Sequence, residues 1–173
     1  MATYTKEPST CESEILFIGT TGLRHPTVHP DTVEMYIDVV APDHWSTTYF
    51  EEVSLYVEIL TAGVKLAPGA ADGNATVGEW SVWEGGQWVV KEPARPPTDR
   101  LRLRRFNERV TGGGINGLTI YFGVTGLPEA GALELNAYCD AIKAVSETKS
   151  CRIHMQDFHV GQQLTGFLGR TPA

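Results

Sequence analysis

The sequence predicts an all-β fold, a single-domain antiparallel β-sandwich or jelly roll with extended N- and C-terminal arms. Three observations carry that expectation. Apolar and polar residues alternate with a period of two through several short segments; glycine and proline, 18 and 10 of the 173 residues, punctuate the chain between them; and no segment holds the spacing of an amphipathic helix convincingly. A composition of 42% hydrophobic and 20% charged residues is that of an ordinary globular chain long enough to bury one core.

Residues 1–13 are polar, without usable period, and read as an N-terminal arm. The sandwich domain then spans 14–157, beginning with the apolar run Glu14 to Gly19 and a loop in which Pro26 and Pro30 push His25 and His29 toward extended geometry. From Val33 to Val40 the alternation is clear: Val33, Met35, Ile37 and Val39 share one face, Glu34, Tyr36 and Asp38 the other. The segment from Phe50 repeats it, with Val53, Leu55, Val57 and Ile59 set against Glu52, Ser54, Tyr56 and Glu58. Small residues from Ala67 to Asn74 break the chain before Glu79–Trp83 and Gln87–Val90, which flank Glu84-Gly85-Gly86 as a hairpin flanks its turn. Pro93, Pro96 and Pro97 close that hairpin, Leu101 and Leu103 alternate with arginines, and Thr111 to Gly114 interrupts again before a strand from Leu118 to Val124.

Residues 129–145 fit either period, since Ala130, Leu133, Leu135, Ala137 and Ala141 could sit on a helix while Leu133, Leu135, Ala137 and Cys139 also alternate. The turn signals Gly126, Pro128 and Gly131 tip the reading to a strand. Ser150 to Met155 is the last expected strand, and 158–173, rich in Gly and Gln, reads as a C-terminal arm.

Fourteen Lys and Arg against 21 Asp and Glu leave a net charge of −7, which opposes general attraction to nucleic acid or to anionic membranes. No segment approaches the roughly 20 apolar residues of a membrane-crossing helix. The first residues lack the basic and apolar regions of a secretory signal, so no export by a signal peptide is expected, and Asn74-Ala75-Thr76 is read as a chance glycosylation triplet. Of the three cysteines, Cys11, Cys139 and Cys151, none has the short spacing of a redox or zinc pair, and the expectation is reduced, partly buried thiols.

Little in the chain resembles a catalytic motif. His25 and His29, with Asp31, Asp43 and His44 further on, lack the helical setting that would turn both imidazoles to one metal, so no metal and no cofactor are expected. His154 and His159 flank Asp157 without an assigned role, and no Gly-x-Ser-x-Gly elbow occurs. Thr111-Gly112-Gly113-Gly114 lacks the Lys-Ser/Thr ending of a phosphate-binding loop. Glu52, Glu58, Glu79 and Glu84 read as solvated charges of a sheet face rather than a paired acid and base.

Two features stand out. The four tryptophans include Trp80, Trp83 and Trp88 on the expected hairpin; Trp80 and Val82 share a face there, so Trp83 faces the other way. An outward Trp serves as a stacking surface for a sugar or as an anchor in a protein interface. Second, Arg100, Arg102 and Arg104 line one strand face, their partners being either Glu7, Glu12 and Glu14 of the N-terminal arm or glutamates of the same sheet.

Together these point to a non-enzymatic structural component of an assembly. The leading form is a viral or phage virion protein, a capsid decoration or tail protein, located in the virion or in the cytoplasm before assembly. Its partners are itself or other structural proteins, met through an interface of Arg100, Arg102, Arg104, Trp83 and Trp88. The alternative is a carbohydrate-binding β-sandwich module that stacks a glycan on Trp83 or Trp88 beside Glu79, Glu84 or Gln87. A hydrolase or isomerase built on carboxylates or on His25, His29 and His44 ranks third.

Overall fold

The structure, a computed structural model, describes residues 9–10, 17–24, 32–40, 48–68, 79–92, 94–110, 118–128, 131–144, 150–154 and 158–163. The described residues form strands and turns and no helix: β1 (Ser9–Thr10), β2 (Phe17–Arg24), β3 (Thr32–Val40), β4 (Thr48–Ile59), β5 (Lys65–Ala67), β6 (Glu79–Glu84), β7 (Gln87–Val90), β8 (Arg100–Val110), β9 (Leu118–Thr125), β10 (Ala132–Ala144), β11 (Ser150–His154) and β12 (Phe158–Gln163). One sheet runs β1-β11-β10-β4-β8-β6-β7, with β12 also on β10; the other runs β2-β3-β9-β5. All pairings are antiparallel except β1 with β11.

The all-β expectation therefore holds, with a sandwich-like arrangement in which both sheets contribute to one core. From the larger sheet come Val53, Leu55 and Val57 of β4, Leu101 and Leu103 of β8, Trp80 of β6, and Leu133, Leu135, Ala137 and Cys139 of β10. Met35, Ile37 and Val39 of β3 and Ile120, Phe122 and Val124 of β9 come from the smaller. The expected alternation appears as buried Val53, Leu55, Val57 and Ile59 of β4 and Leu101 and Leu103 of β8, although Ser54 is buried as well, and the strand reading of 129–145 is the correct one of the two periods. Leu133, Leu135, Ala137, Cys139 and Ala141 are all buried, which a strand achieves by alternation and a helix could not.

Turn chemistry fits the connections. Gly85 and Gly86 have φ of 62° and 79°, the positive pair that a two-residue type I′ hairpin needs. Gly126 is required for a second reason: a Cβ on it would sit 2.6 Å from the Gly63 carbonyl oxygen, so the loops before β5 and after β9 touch backbone to backbone. Trp80 is fully buried, its indole Nε1 donating to the Pro96 carbonyl (3.3 Å) and its amide to Glu92 Oε2 (2.8 Å). Burial raises the Glu92 pKa, but the hydrogen bonds from Arg95 and from the Trp80 amide outweigh it and hold that carboxyl below its usual range. The proline-rich segment after the hairpin is thereby tied over the Trp80 edge of the core.

Two short strands fall inside the segments read as arms, since β1 lies within 1–13 and β12 within 158–173. The cysteine expectation needs correction. Cys139 is a buried free thiol, but Cys151 is disulfide-bonded, and Cys11 lies outside the described residues. Burial, and then the charge of Asp140, push the Cys139 thiol up to about 12. No helix among the described residues is long and apolar enough to cross a membrane.

Trp80→Ala should cost about 3–5 kcal/mol in urea unfolding, the range for emptying a large aromatic site. Cys139 should resist iodoacetamide in the folded protein at pH 8 and react on denaturation. Because its folded pKa lies above the unfolded value, stability should be intact below about pH 9 and fall as pH rises from there toward 12. Cys139→Ala should remove that part of the decline, read from urea midpoints between pH 8 and 10.

Candidate functional site

The face of the larger sheet turned away from the core carries Ser54, Tyr56 and Glu58 of β4, Arg100, Arg102 and Arg104 of β8, and Asn136 and Tyr138 of β10. Register places them in cross-strand rows. In one row Asn136 of β10 opposes Glu58 of β4, which opposes Arg100 of β8; in the next, Tyr138 opposes Tyr56, which opposes Arg102, which opposes Ser81 of β6. A third runs Asp140, Ser54, Arg104, Glu79. At the hairpin end Trp83 opposes Trp88, their centroids 5.3 Å apart in an edge-to-face pair.

The three arginines share a face as expected but differ in their pairing. Arg104 is held at both ends of its fork, Nη1 donating to Glu79 Oε1 and Nη2 to Glu52 Oε1, each at 2.9 Å, and Glu52 also accepts from Ser54 Oγ at 3.1 Å. Burial works against the Arg104 charge, but Glu52 and then Glu79 outweigh it and hold the guanidinium charged, its pKa above the ordinary value. Arg100 has only a long contact with Glu58, 4.0 Å, and lies over the Trp83 ring at 4.5 Å. Arg102 donates from Nη2 to Ser81 Oγ at 3.3 Å and stands 5.7 Å from the Trp88 ring, and among the described residues it has no carboxylate partner. Arg104 and, at longer range, Arg100 thus meet glutamates of their own sheet, while Arg102 meets Ser81; Glu7, Glu12 and Glu14 lie outside the described residues.

Between these rows opens a cleft of about 320 Å³, lined by Tyr56, Glu58, Trp88, Arg100, Asn136 and Tyr138 with the backbone between them. The Tyr56 ring stands 5.5 Å from both Trp88 and Tyr138, tilted by 53° and 41° respectively. Three rings thus line a twisted groove, with a carboxylate, an amide and a guanidinium along one side. Burial, and then the charge of Asp140, push the Tyr138 phenol up to about 12, so it offers a neutral O–H at any physiological pH.

Trp88 and Arg100 line the cleft, Trp83 abuts it through Trp88, and Arg102 and Arg104 lie beside it. The hydrogen-bonding residues expected from sequence are elsewhere, Glu79 on Arg104 and Glu84 on Lys91. Tyr56, Glu58, Asn136 and Tyr138 take that place. Tyr56 and Glu58 were visible as the wet face of a strand; nothing local in the sequence joins Asn136 and Tyr138 to them. His25, His29, Asp31, Asp43, His44, Trp45, residues 74–76 and the glycines 112–114 lie outside the described residues. Among the described residues no His, Cys, Asp or Glu group gathers as a metal site.

No protein-family model matches the chain. No curated protein matches it either. Among solved structures, it is similar to the sporulation control protein Spo0M from Bacillus subtilis, at 11% identity and a TM-score of 0.27 over 84% of this chain and 50% of that one. It is likewise similar to a DUF4466 family protein from Parabacteroides merdae, at 10% identity and a TM-score of 0.29 over 88% of this chain and 46% of that one. The chain spans about half the length of these two structures.

Arg104→Leu should leave Glu52 and Glu79 facing each other without their cation and cost about 1–3 kcal/mol in urea unfolding. Arg100→Leu, which loses a long and exposed pair, should cost under about 1 kcal/mol.

Proposed function

We propose that this face of the larger sheet binds a saccharide without cleaving it. The observation that carries the reading is the cleft itself, in which Tyr138, Tyr56 and Trp88 line one groove beside Glu58, Asn136 and Arg100. A sugar ring has an apolar C–H face, which suits an aromatic wall, and a rim of hydroxyls, each both donor and acceptor, which suits a carboxylate, an amide and a guanidinium side by side. The volume is at the small end of ligand clefts, roughly 300–1,000 Å³, which favours one or two sugar units over a large cofactor. Tilted rings form a groove rather than a flat platform and so favour a soluble chain or a chain end. Glu58 is the carboxylate lining the cleft, whereas glycoside hydrolysis ordinarily needs two.

A second reading, assembly with another protein or another copy of this chain, rests on a separate observation. Among the described residues β7 ends its sheet, Val90 on it is 45% exposed, and Trp83 of the neighbouring β6 is 37% exposed, which suits a partner strand or a second copy. The Arg row supports that reading less well, because Arg104 is engaged within the sheet. If the partner is a second copy, light scattering should show an oligomer that Val90→Lys dissociates; a strict monomer at every concentration would end that form of the reading.

The saccharide reading is checked with cellohexaose, laminarihexaose, xylohexaose and mannohexaose, followed by tryptophan fluorescence and calorimetry. At least one should bind, and Trp88→Ala and Tyr56→Ala should each weaken it about tenfold or more, against a smaller effect of Trp83→Ala. Absence of binding by all four, or binding indifferent to Trp88→Ala, would overturn it.

A further inference from the structure

Asn136 has a second neighbour outside the cleft. Strand β12 pairs with β10 so that His159 stands opposite Asn136 and Gly161 opposite Glu134. With no side chain on Gly161, and open space where its Cβ would stand, the imidazole reaches both residues: Nδ1 is 3.1 Å from Asn136 Oδ1 and Nε2 is 3.0 Å from Glu134 Oε1. The ring is exposed to solvent.

Hydrogen-bond direction couples these groups. An ionised Glu134 only accepts, so Nε2 carries a hydrogen. If Nδ1 carries one as well, the ring is an imidazolium, Asn136 must turn its oxygen to it, and the amide NH₂ then faces the cleft. When Nδ1 is bare, its lone pair requires an N–H from Asn136, and the amide turns over to present its oxygen to the cleft instead. The protonation state of His159 and the orientation of Asn136 are therefore one variable.

The orientation matters because Asn136 and Glu58 are register partners and both line the cleft. A ligand hydroxyl between them has one hydrogen. Given to the Glu58 carboxylate, that hydrogen leaves only an oxygen to accept from Asn136, which requires the NH₂ to face inward. We propose that His159, positioned by Glu134, sets the Asn136 amide so that a hydroxylated ligand bridging Asn136 and Glu58 binds more tightly when His159 is protonated. This rests on the saccharide reading of the same cleft. Among the described residues, the groups facing the ring are Glu134 and Asn136 of β10, the strand with which β12 pairs; beyond Asn136 come Glu58 of β4 and Arg100 of β8. Imidazole is the side-chain group that ordinarily changes charge between about pH 5 and 8.

The test follows the full-length ¹⁵N-labelled protein by NMR from pH 5 to 8.5, and its affinity for cellohexaose at pH 5.5 and 8. The Asn136 side-chain NH₂ resonances should shift with the same midpoint as the His159 ring, and His159→Ala should abolish the shift. Cellohexaose should bind about fivefold more tightly at pH 5.5, the weight of one ordinary hydrogen bond, with proton uptake on binding; in His159→Ala the affinity should be flat with pH. NH₂ resonances that ignore the His159 midpoint, or a pH profile unchanged in His159→Ala, would overturn the proposal. Should cellohexaose not bind, the saccharide reading loses support while the amide titration still decides the coupling.

Discussion

The alternation of β8 is the constraint on which the outer face depends. Leu101 and Leu103 are fully buried, and a strand that sends both into the core must send Arg100, Arg102 and Arg104 to the opposite side. The Cα atoms of successive arginines then stand roughly 7 Å apart along the strand, which places three like charges on one stretch of the face. The core position of β8 is tolerable because β4, β6 and β7 supply the outer residues that receive those charges. Glu52, Glu58 and Glu79 do so by ion pairing, Trp83 and Trp88 by their ring faces.

The charges are not received evenly, and the unevenness divides the face into two regions. Around Arg104 both carboxylates converge on one fork, and the region is closed by its own hydrogen bonds. Toward Arg100 the carboxylate is distant and the neighbours are aromatic, so hydrogen-bonding capacity is left over beside apolar rings. That combination, spare polar groups against a hydrophobic wall, is what a ligand cleft needs and what a sealed salt-bridge cluster lacks. The same alternation in β10 places Asn136 and Tyr138 outside while Leu135, Ala137 and Cys139 complete the core.

Much of this was legible in the sequence where the signal is local. The runs Val33–Val39, Val53–Ile59 and Leu101–Leu103 announce their buried faces, and Gly85-Gly86 announces its turn, because both depend on neighbours within a few residues. The opposite exposure of Trp80 and Trp83 followed from the same period. The partners of the arginines did not, since glutamates stand both in the N-terminal arm and on the sheet strands, and it is register that sets Glu79 against Arg104 and Glu58 against Arg100. Nor did the strand within 158–163, whose Gly and Gln content gives no alternation to read and which is held by pairing along β10.

Which side chains share a face was therefore determined by the sequence alone, because a strand has only two faces and each residue's parity assigns one. Which faces meet was decided by the tertiary structure. Tyr56 and Tyr138, Glu58 and Asn136, and Asn136 and His159 become neighbours only when strands distant in the chain pair in one register, and a one-residue slip of β10 would turn Asn136 and Tyr138 to the core side, away from all three partners. The cleft exists at that level and at no lower one.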